Sequence, residues 1–179
     1  MLPVLKIRIL CRVLLLAPAF LSLALQAQTA QSMPATTGER LSGGTIQLTS
    51  ALSGQPAILV ASFSRASSAA ANEWLRTLHN DPAFARSTVW YVVQLQRAPR
   101  LVRPLVRSAL RRQTPATWQA NTVLLTADEI AWRDWFHAGT ETAPSVVALD
   151  NNGNVMWRGT GSSPALAEKL KAALPAALH

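Results

Sequence analysis

The apolar positions of this chain follow two patterns that take turns along it. Short unbroken runs alternate with stretches in which apolar residues recur every three or four positions, which predicts strands interleaved with helices. The run Ala57-Ile58-Leu59-Val60-Ala61-Ser62-Phe63 is too short for a buried helix and is bounded by Gly54 and Pro56, so it reads as a buried strand. It breaks into Ser64-Arg65-Ala66-Ser67-Ser68 and then into Ala70, Ala71, Trp74, Leu75 and Leu78 at helical spacing, with Ser67 or Ser68 available to cap the first turn. Asn80-Asp81-Pro82 ends that helix, because proline disfavours helical geometry in the residue before it. Residues 88–95, rich in β-branched and aromatic side chains, predict a strand buried on both faces at the centre of the sheet.

Residues 99–112 predict a helix with Leu101, Val102, Leu105, Val106, Ala109 and Leu110 on one face and Arg100, Arg103, Arg107 and Arg111 on the other. Residues 121–126 form the next strand, and residues 128–136 a short helix with Ile130, Trp132, Trp135 and Phe136 as its apolar contacts. Residues 145–149 and 154–158 are paired strands around a turn that holds Asn152-Gly153, a strong hairpin signal. Ser163 caps the last helix, Pro164 opens it, and Leu166, Leu170, Ala173 and Leu174 give it an apolar side. A short strand at residues 44–48 precedes the first core strand. The expected fold class is therefore α/β, a three-layer sandwich with a central mixed sheet flanked by helices and closed by a C-terminal β-hairpin and helix.

Not all of the chain belongs to that sandwich. Residues 1–27 carry Lys6, Arg8 and Arg12, then an apolar stretch over 13–25, then Leu25-Gln26-Ala27, the order of a secretory signal with its cleavage site; the lack of acids before Glu39 also fits a mitochondrial transit peptide, against which the dense leucine run and scarce serine favour secretion. Residues 28–38 are polar and small, with too little apolar surface to pack, and read as a disordered lead-in; the domain is expected over 39–179. This organisation predicts an exported protein, periplasmic or held at the periplasmic face of the inner membrane. The single cysteine, Cys11, lies in the leader, which removes disulfide and thiol chemistry from everything after it. Setting aside Lys6, Arg8 and Arg12 lowers the formal charge from +8 to +5.

Where chemistry is concerned, the residue types exclude more than they offer. A serine nucleophile needs a base in reach and a group to orient it; His79 and His137 are the internal histidines, and no Gly-x-Ser-x-Gly elbow is present. No His-x-x-x-His and no tight acidic cluster offers a metal site, and no cofactor is expected. Asp128 and Glu129 are adjacent, so a helix points them in different directions. Two signals stand out. Ser64, Arg65, Ser67 and Ser68 sit where the backbone N–H groups of a helix N-terminus face outward and favour an anion. Between Asp81 and Asp128 there is no acidic residue, while Arg100, Arg103, Arg107 and Arg111 recur at helical spacing; that stripe repels itself by about 0.2–0.5 kcal/mol per neighbouring pair, which suits an anionic lipid surface or an acidic protein, the alternative being a solvated face kept soluble by charge. Export argues against nucleic acid as the partner. Among the tryptophans, Trp74, Trp90 and Trp132 belong to the core by periodicity, whereas Trp118 in a polar loop and Trp157 on an edge strand are candidates for exposure.

These residues resemble those of thioredoxin-fold proteins. Gly44-x-Ile46-x-Leu48 with Gly54-x-Pro56 before the first core strand is similar to membrane-tethered thiol-oxidoreductases and peroxiredoxins, in which a Cys-x-x-Cys pair would begin about where Ser67 stands. Pro144 before Ser145-Val146-Val147-Ala148-Leu149 is similar to the segment that begins with a cis-proline in that fold, which implies a cis bond at Pro144. Over residues 56–174, Phe63-Ser64 with Trp74, the basic helix ending Leu110-Arg111-Arg112, and Val155-Met156-Trp157-Arg158-Gly159-Thr160-Gly161 resemble the mitochondrial assembly factor for the membrane sector of F-type ATP synthase. That resemblance implies a non-redox chaperone whose partner is a protein, a membrane subunit in particular, and not an enzyme. The candidate binding residues are Ser64, Arg65, Ser67, Ser68, Pro144 and Trp157, with Arg100, Arg103, Arg107 and Arg111 as the docking stripe. The alternative is a degenerate thiol-oxidoreductase or peroxiredoxin relative with an unrecognised activity that uses no cysteine.

Overall fold

A computed structural model describes residues 32–174; the leader, the start of the lead-in and the last five residues lie outside the described residues. The buried strand of the sequence reading is β3 (Ala57–Ser62), and every one of its residues is buried. It pairs in parallel with β4 (Thr88–Gln94), which in turn pairs in parallel with β5 (Thr122–Leu125). On its other side β3 pairs antiparallel with β6 (Ser145–Leu149), and β6 with β7 (Val155–Thr160), which ends the sheet. A hairpin of β1 (Thr37–Arg40) and β2 (Thr45–Gln47) adds to the outer side of β5, so that the strands run β2-β1-β5-β4-β3-β6-β7 with β4 in the middle.

β1 begins two residues before Glu39, inside the stretch read as lead-in, and Met33 and Thr36 already pack against the domain. Its signal is weak because the strand is four residues long and contains Gly38. That glycine is required by close approach: a Cβ there would fall 2.4 Å from Val123 Cγ1 on the neighbouring strand. The C-terminal hairpin turn is also longer than a two-residue Asn-Gly turn. Asp150 Oδ1 accepts N–H bonds from Asn152 and Asn154 at 2.8 Å each, and a register shift follows at Ala148/Leu149.

Helices cover both faces, each with its own core. On one lie α2 (Ser68–Asn80), a 3-10 turn at Pro82–Phe84, α3 (Arg103–Gln113), α4 (Ala116–Gln119) and α6 (Ser163–Ala173). Here Trp74, Leu78 and Phe84 are buried against Val60, Tyr91 and Val146. On the other, α1 (Leu48–Ala51) and α5 (Glu129–Phe136) bury Trp132, Trp135 and Phe136 against Leu59, Val92 and Val147. Two of the buried indoles find acceptors, Trp74 Nε1–H on Gly161 O at 2.8 Å and Trp132 Nε1–H on Thr36 Oγ1 at 3.0 Å, whereas Trp90 Nε1 is buried without a partner among the described residues. The α/β three-layer sandwich, with the C-terminal hairpin and helix, is the observed architecture.

Candidate functional site

β3 delivers Ser62, Phe63 and Ser64 to the N-terminus of α2 at the carboxyl ends of the parallel strands, the usual position for a site in an α/β sheet. The serines there bond to one another. Ser62 Oγ lies 3.1 Å from Ser67 Oγ and donates to Ser64 O at 3.0 Å; Ser67 Oγ and Ser68 Oγ also approach Ser64 O, at 3.0 and 3.2 Å. Ser67 is fully buried and already in helical geometry (φ −80°, ψ −10°), so its hydroxyl turns back to Ser64 instead of forward onto the first turn. The capping role expected of Ser67 is therefore not the one it fills. Its backbone N–H instead donates to the Ser64 hydroxyl oxygen at 3.3 Å.

The cluster is covered as well as internally bonded. The Ser64 hydroxyl donates to the carbonyl of Glu141, in the segment that connects α5 to β6, and the Glu141 carboxylate pairs with Arg97. Arg97 also pairs with Glu129 at 2.9 Å, and Arg133 approaches the same carboxylate at 3.9 Å. Glu129 is buried, and its Oε1 touches these guanidinium groups without the alignment of a hydrogen bond. This network was not legible in the sequence: Glu129 and Arg133 are four apart on α5, but Arg97 and Glu141 come from two other segments that only the fold brings beside them. Beneath the serines, Tyr91 Oη is buried with no hydrogen-bond partner; burial pushes its phenol pKa up, opposed by the nearby hydroxyls of Ser62 and Ser68. Arg65 is exposed at the rim.

Pro144 reaches the same end of the sheet, buried, but the expected cis bond is absent: no peptide bond among the described residues is cis. The trans form is the ordinary one by about 0.5–1 kcal/mol for X–Pro. The anchoring on either side suits it: Glu141 O holds the approach, and Pro144 O accepts the Gly161 N–H at 3.1 Å as β6 starts. Trp157 is half-buried rather than exposed. Its ring packs against Trp74 at 6.4 Å between centroids and folds over Gly159, where a Cβ would lie 2.2 Å from Trp157 Cη2. Trp118 is likewise half-buried, stacked on His79 at 3.9 Å and forming one wall of a groove with Leu75 and Arg76.

The arginine stripe departs furthest from its expected orientation. Arg103 donates to Ala98 O and Gln96 O, both at 3.0 Å; Arg107 pairs with Glu39; Arg111 Nε donates to Leu41 O at 2.7 Å. Three of the four cations are therefore tied to the body of the domain, and only Arg100 extends from it, exposed. The apolar face divides correspondingly. Val106 and Leu110 pack against the core, whereas Leu101 is 91% exposed, Val102 40% and Leu105 69%, and α3 buries none of its residues. The physical reason is a helix that begins at Arg103, later than the pattern suggests, rotated so that long guanidinium arms reach carbonyls on the neighbouring loop and hairpin.

No known sequence family and no curated protein matches the sequence. Solved structures do match. The fold is that of thioredoxin. The chain is similar to a pneumococcal exposed lipoprotein thioredoxin from Streptococcus pneumoniae, with 15% identity, 76% of this chain and 97% of that one covered, and a TM-score of 0.54. It is similar to a putative thiol:disulfide interchange protein from Chlorobium tepidum, at 18% identity, 82% and 94% coverage and a TM-score of 0.57. It is also similar to a lipoprotein of the SCO1/SenC family from Bacillus anthracis, at 16% identity, 83% and 96% coverage and a TM-score of 0.54. At these identities the likeness concerns the thioredoxin-like fold.

Proposed function

We infer that this chain is a non-redox thioredoxin-like protein that acts by binding another protein, in an assembly or chaperone role at the extracytoplasmic face of a membrane. The observation that carries the reading is β7: it ends the sheet, its residues are half-buried or exposed, and one side of its backbone ladder has no neighbouring strand among the described residues. Such an edge takes an extended segment by backbone hydrogen bonds, with specificity supplied by alternate side chains. Trp157 and Trp74 back the edge from within, and Arg158, bonded to Trp135 O at 3.2 Å, fixes it from the other face. The buried serine cluster under Glu141 holds the junction as scaffold.

Two further points support the reading. Residues 12–179 contain no thiol, so the chemistry of the thiol–disulfide proteins it resembles in fold has no atom to run on. The residue pattern over 56–174 resembles the assembly factor of the ATP synthase membrane sector, which makes a membrane subunit the first partner to look for. The secretory leader and the lipoprotein neighbours favour an extracytoplasmic location. A photo-crosslinking residue in place of exposed Thr160, at the end of β7, tests the reading in cells. A discrete protein captured from Thr160 and not from a photo-crosslinking residue in place of exposed Glu73 on α2 is the expected result; no capture from the edge would defeat it.

A further inference from the structure

We propose that the outer side of α3 is a membrane seat, and that its ligand is the headgroup and upper acyl region of an anionic bilayer. This deepens the proposed function by naming what holds the protein against the membrane, at a surface separate from β7. On α3, positions three and four apart fall on one line, as Leu105, Ser108 and Arg112 do, and Leu101 stands in the turn that leads into the helix; all four are exposed. Leu101 at 91% exposure and Leu105 at 69%, with Val102 beside them, form an apolar ridge that buries nothing in the fold. Pro104 sits among them, in the first turn, where its missing N–H costs nothing.

Charge complementarity selects the occupant. Arg100 flanks the ridge at one end and Arg112 stands on the line at the other, bonded among the described residues to Ser108 Oγ at 2.7 Å. No acidic residue occurs in the sequence between Asp81 and Asp128, and the acids that reach toward this end of the domain, Glu39, Glu129 and Glu141, are already paired with Arg107 and Arg97. An apolar ridge edged by unneutralised arginines matches the interface of an anionic bilayer, where leucines enter the acyl boundary and arginines reach phosphates. A bare acidic protein surface would use the arginines and leave the two leucines in water. The inward turn of Arg103, Arg107 and Arg111 assigns them to holding α3 in place, and leaves lipid contact to Arg100 and Arg112.

The experiment uses the full chain, with a polarity-sensitive fluorophore on Ser108→Cys in a Cys11→Ser background. A second protein carries the probe on Asn152, at the exposed tip of the β6–β7 turn. A retained leader would anchor the chain to any vesicle, so the local probe decides. With phosphatidylcholine vesicles containing 30% phosphatidylglycerol, the Ser108 probe is expected to shift to the blue while the Asn152 probe does not, and pure phosphatidylcholine leaves both unchanged. Leu101→Ser with Leu105→Ser should raise the lipid concentration at half-shift by at least tenfold, and Arg100→Gln with Arg112→Gln by roughly fivefold for each charge removed. Inorganic phosphate at millimolar concentration should not shift the probe. An unshifted Ser108 probe, an equal shift on neutral vesicles, a shift indifferent to the leucine substitutions, or a shift that reports self-association without lipid would each overturn the proposal. None of these outcomes touches the β7 reading, which the Thr160 crosslink tests.

Discussion

Removing arginines from one helix should separate those that build the fold from those that do not. Arg103→Met removes two charge-assisted bonds to the carbonyls of Ala98 and Gln96, and Arg111→Met removes one to Leu41 O, while both keep an unbranched stem of similar bulk. Bonds to a charged donor contribute about 1.5–3 kcal/mol where water is excluded, and these arms are partly solvated, so about 1–1.5 kcal/mol per residue is the fitting scale. The two sites lie two turns apart without shared partners, so their effects should add to about 2–3 kcal/mol. For a domain of this size that is a fall in Tm of roughly 8–12 °C. Arg100→Met with Arg112→Met touches no main-chain carbonyl of the domain and should stay within about 0.5 kcal/mol of the parent. Thermal and urea unfolding of the two double variants measures both numbers. Equal stability of the pairs, or a larger loss from Arg100 and Arg112, would refute the inward orientation of α3.

Other outcomes follow from the site and the sheet edge. Ser67→Ala removes a fully buried hydroxyl bonded to Ser62 and Ser64 and should cost about 1–2 kcal/mol in chemical denaturation. Tyr91→Phe removes a buried hydroxyl that lies near Ser62 and Ser68 without an aligned hydrogen bond among the described residues, and should be neutral or stabilising, by up to about 1 kcal/mol. The same tyrosine gives a pH signature. Its folded pKa is raised above the ordinary 10.0, so the unfolded chain ionises first as pH rises, and stability should fall above pH 10 in the parent and fall less in Tyr91→Phe. Asp81, held down by Lys171 and by the Ala83 N–H, contributes stability that is present above pH 3.8 and lost as pH falls through its lowered folded pKa; Lys171→Met should flatten that acid limb. Gly159→Ala forces the Trp157 ring aside and should destabilise the hairpin by about 1–3 kcal/mol, read by tryptophan fluorescence during unfolding.

The contrast between α3 and the core strands shows what a single sequence makes legible. β3, β4 and β6 are strands because continuous β-branched and apolar runs have only one place to go, the middle of a sheet, and Trp74 and Trp132 were placed in the core by helical spacing for the same reason. Hydrophobic burial acts on each residue locally, so its pattern survives in one dimension. The rotation of α3 does not. Periodicity separated apolar from basic positions but not which of them turn inward: Leu101 and Leu105 stay exposed, while Arg103 finds Ala98 O and the long arms of Arg107 and Arg111 find Glu39 and Leu41, contacts that depend on the hairpin β1–β2 lying beside the helix. β1 itself was obscured because four residues containing a glycine become a strand only when β5 offers its edge. The serine cluster was legible as a location and not as an arrangement. Nothing in Ser64-Arg65-Ala66-Ser67-Ser68 shows that Glu141, 77 residues on, accepts the Ser64 hydroxyl.

Binding through the open edge of β7 is the centre of the account, and backbone hydrogen exchange tests it most directly. The full chain is compared free and in complex with the protein recovered by the Thr160 crosslink. The account predicts slowed exchange concentrated in residues 155–160, with residues 64–68 unchanged; protection at 64–68 with β7 left as open as in the free protein would contradict it.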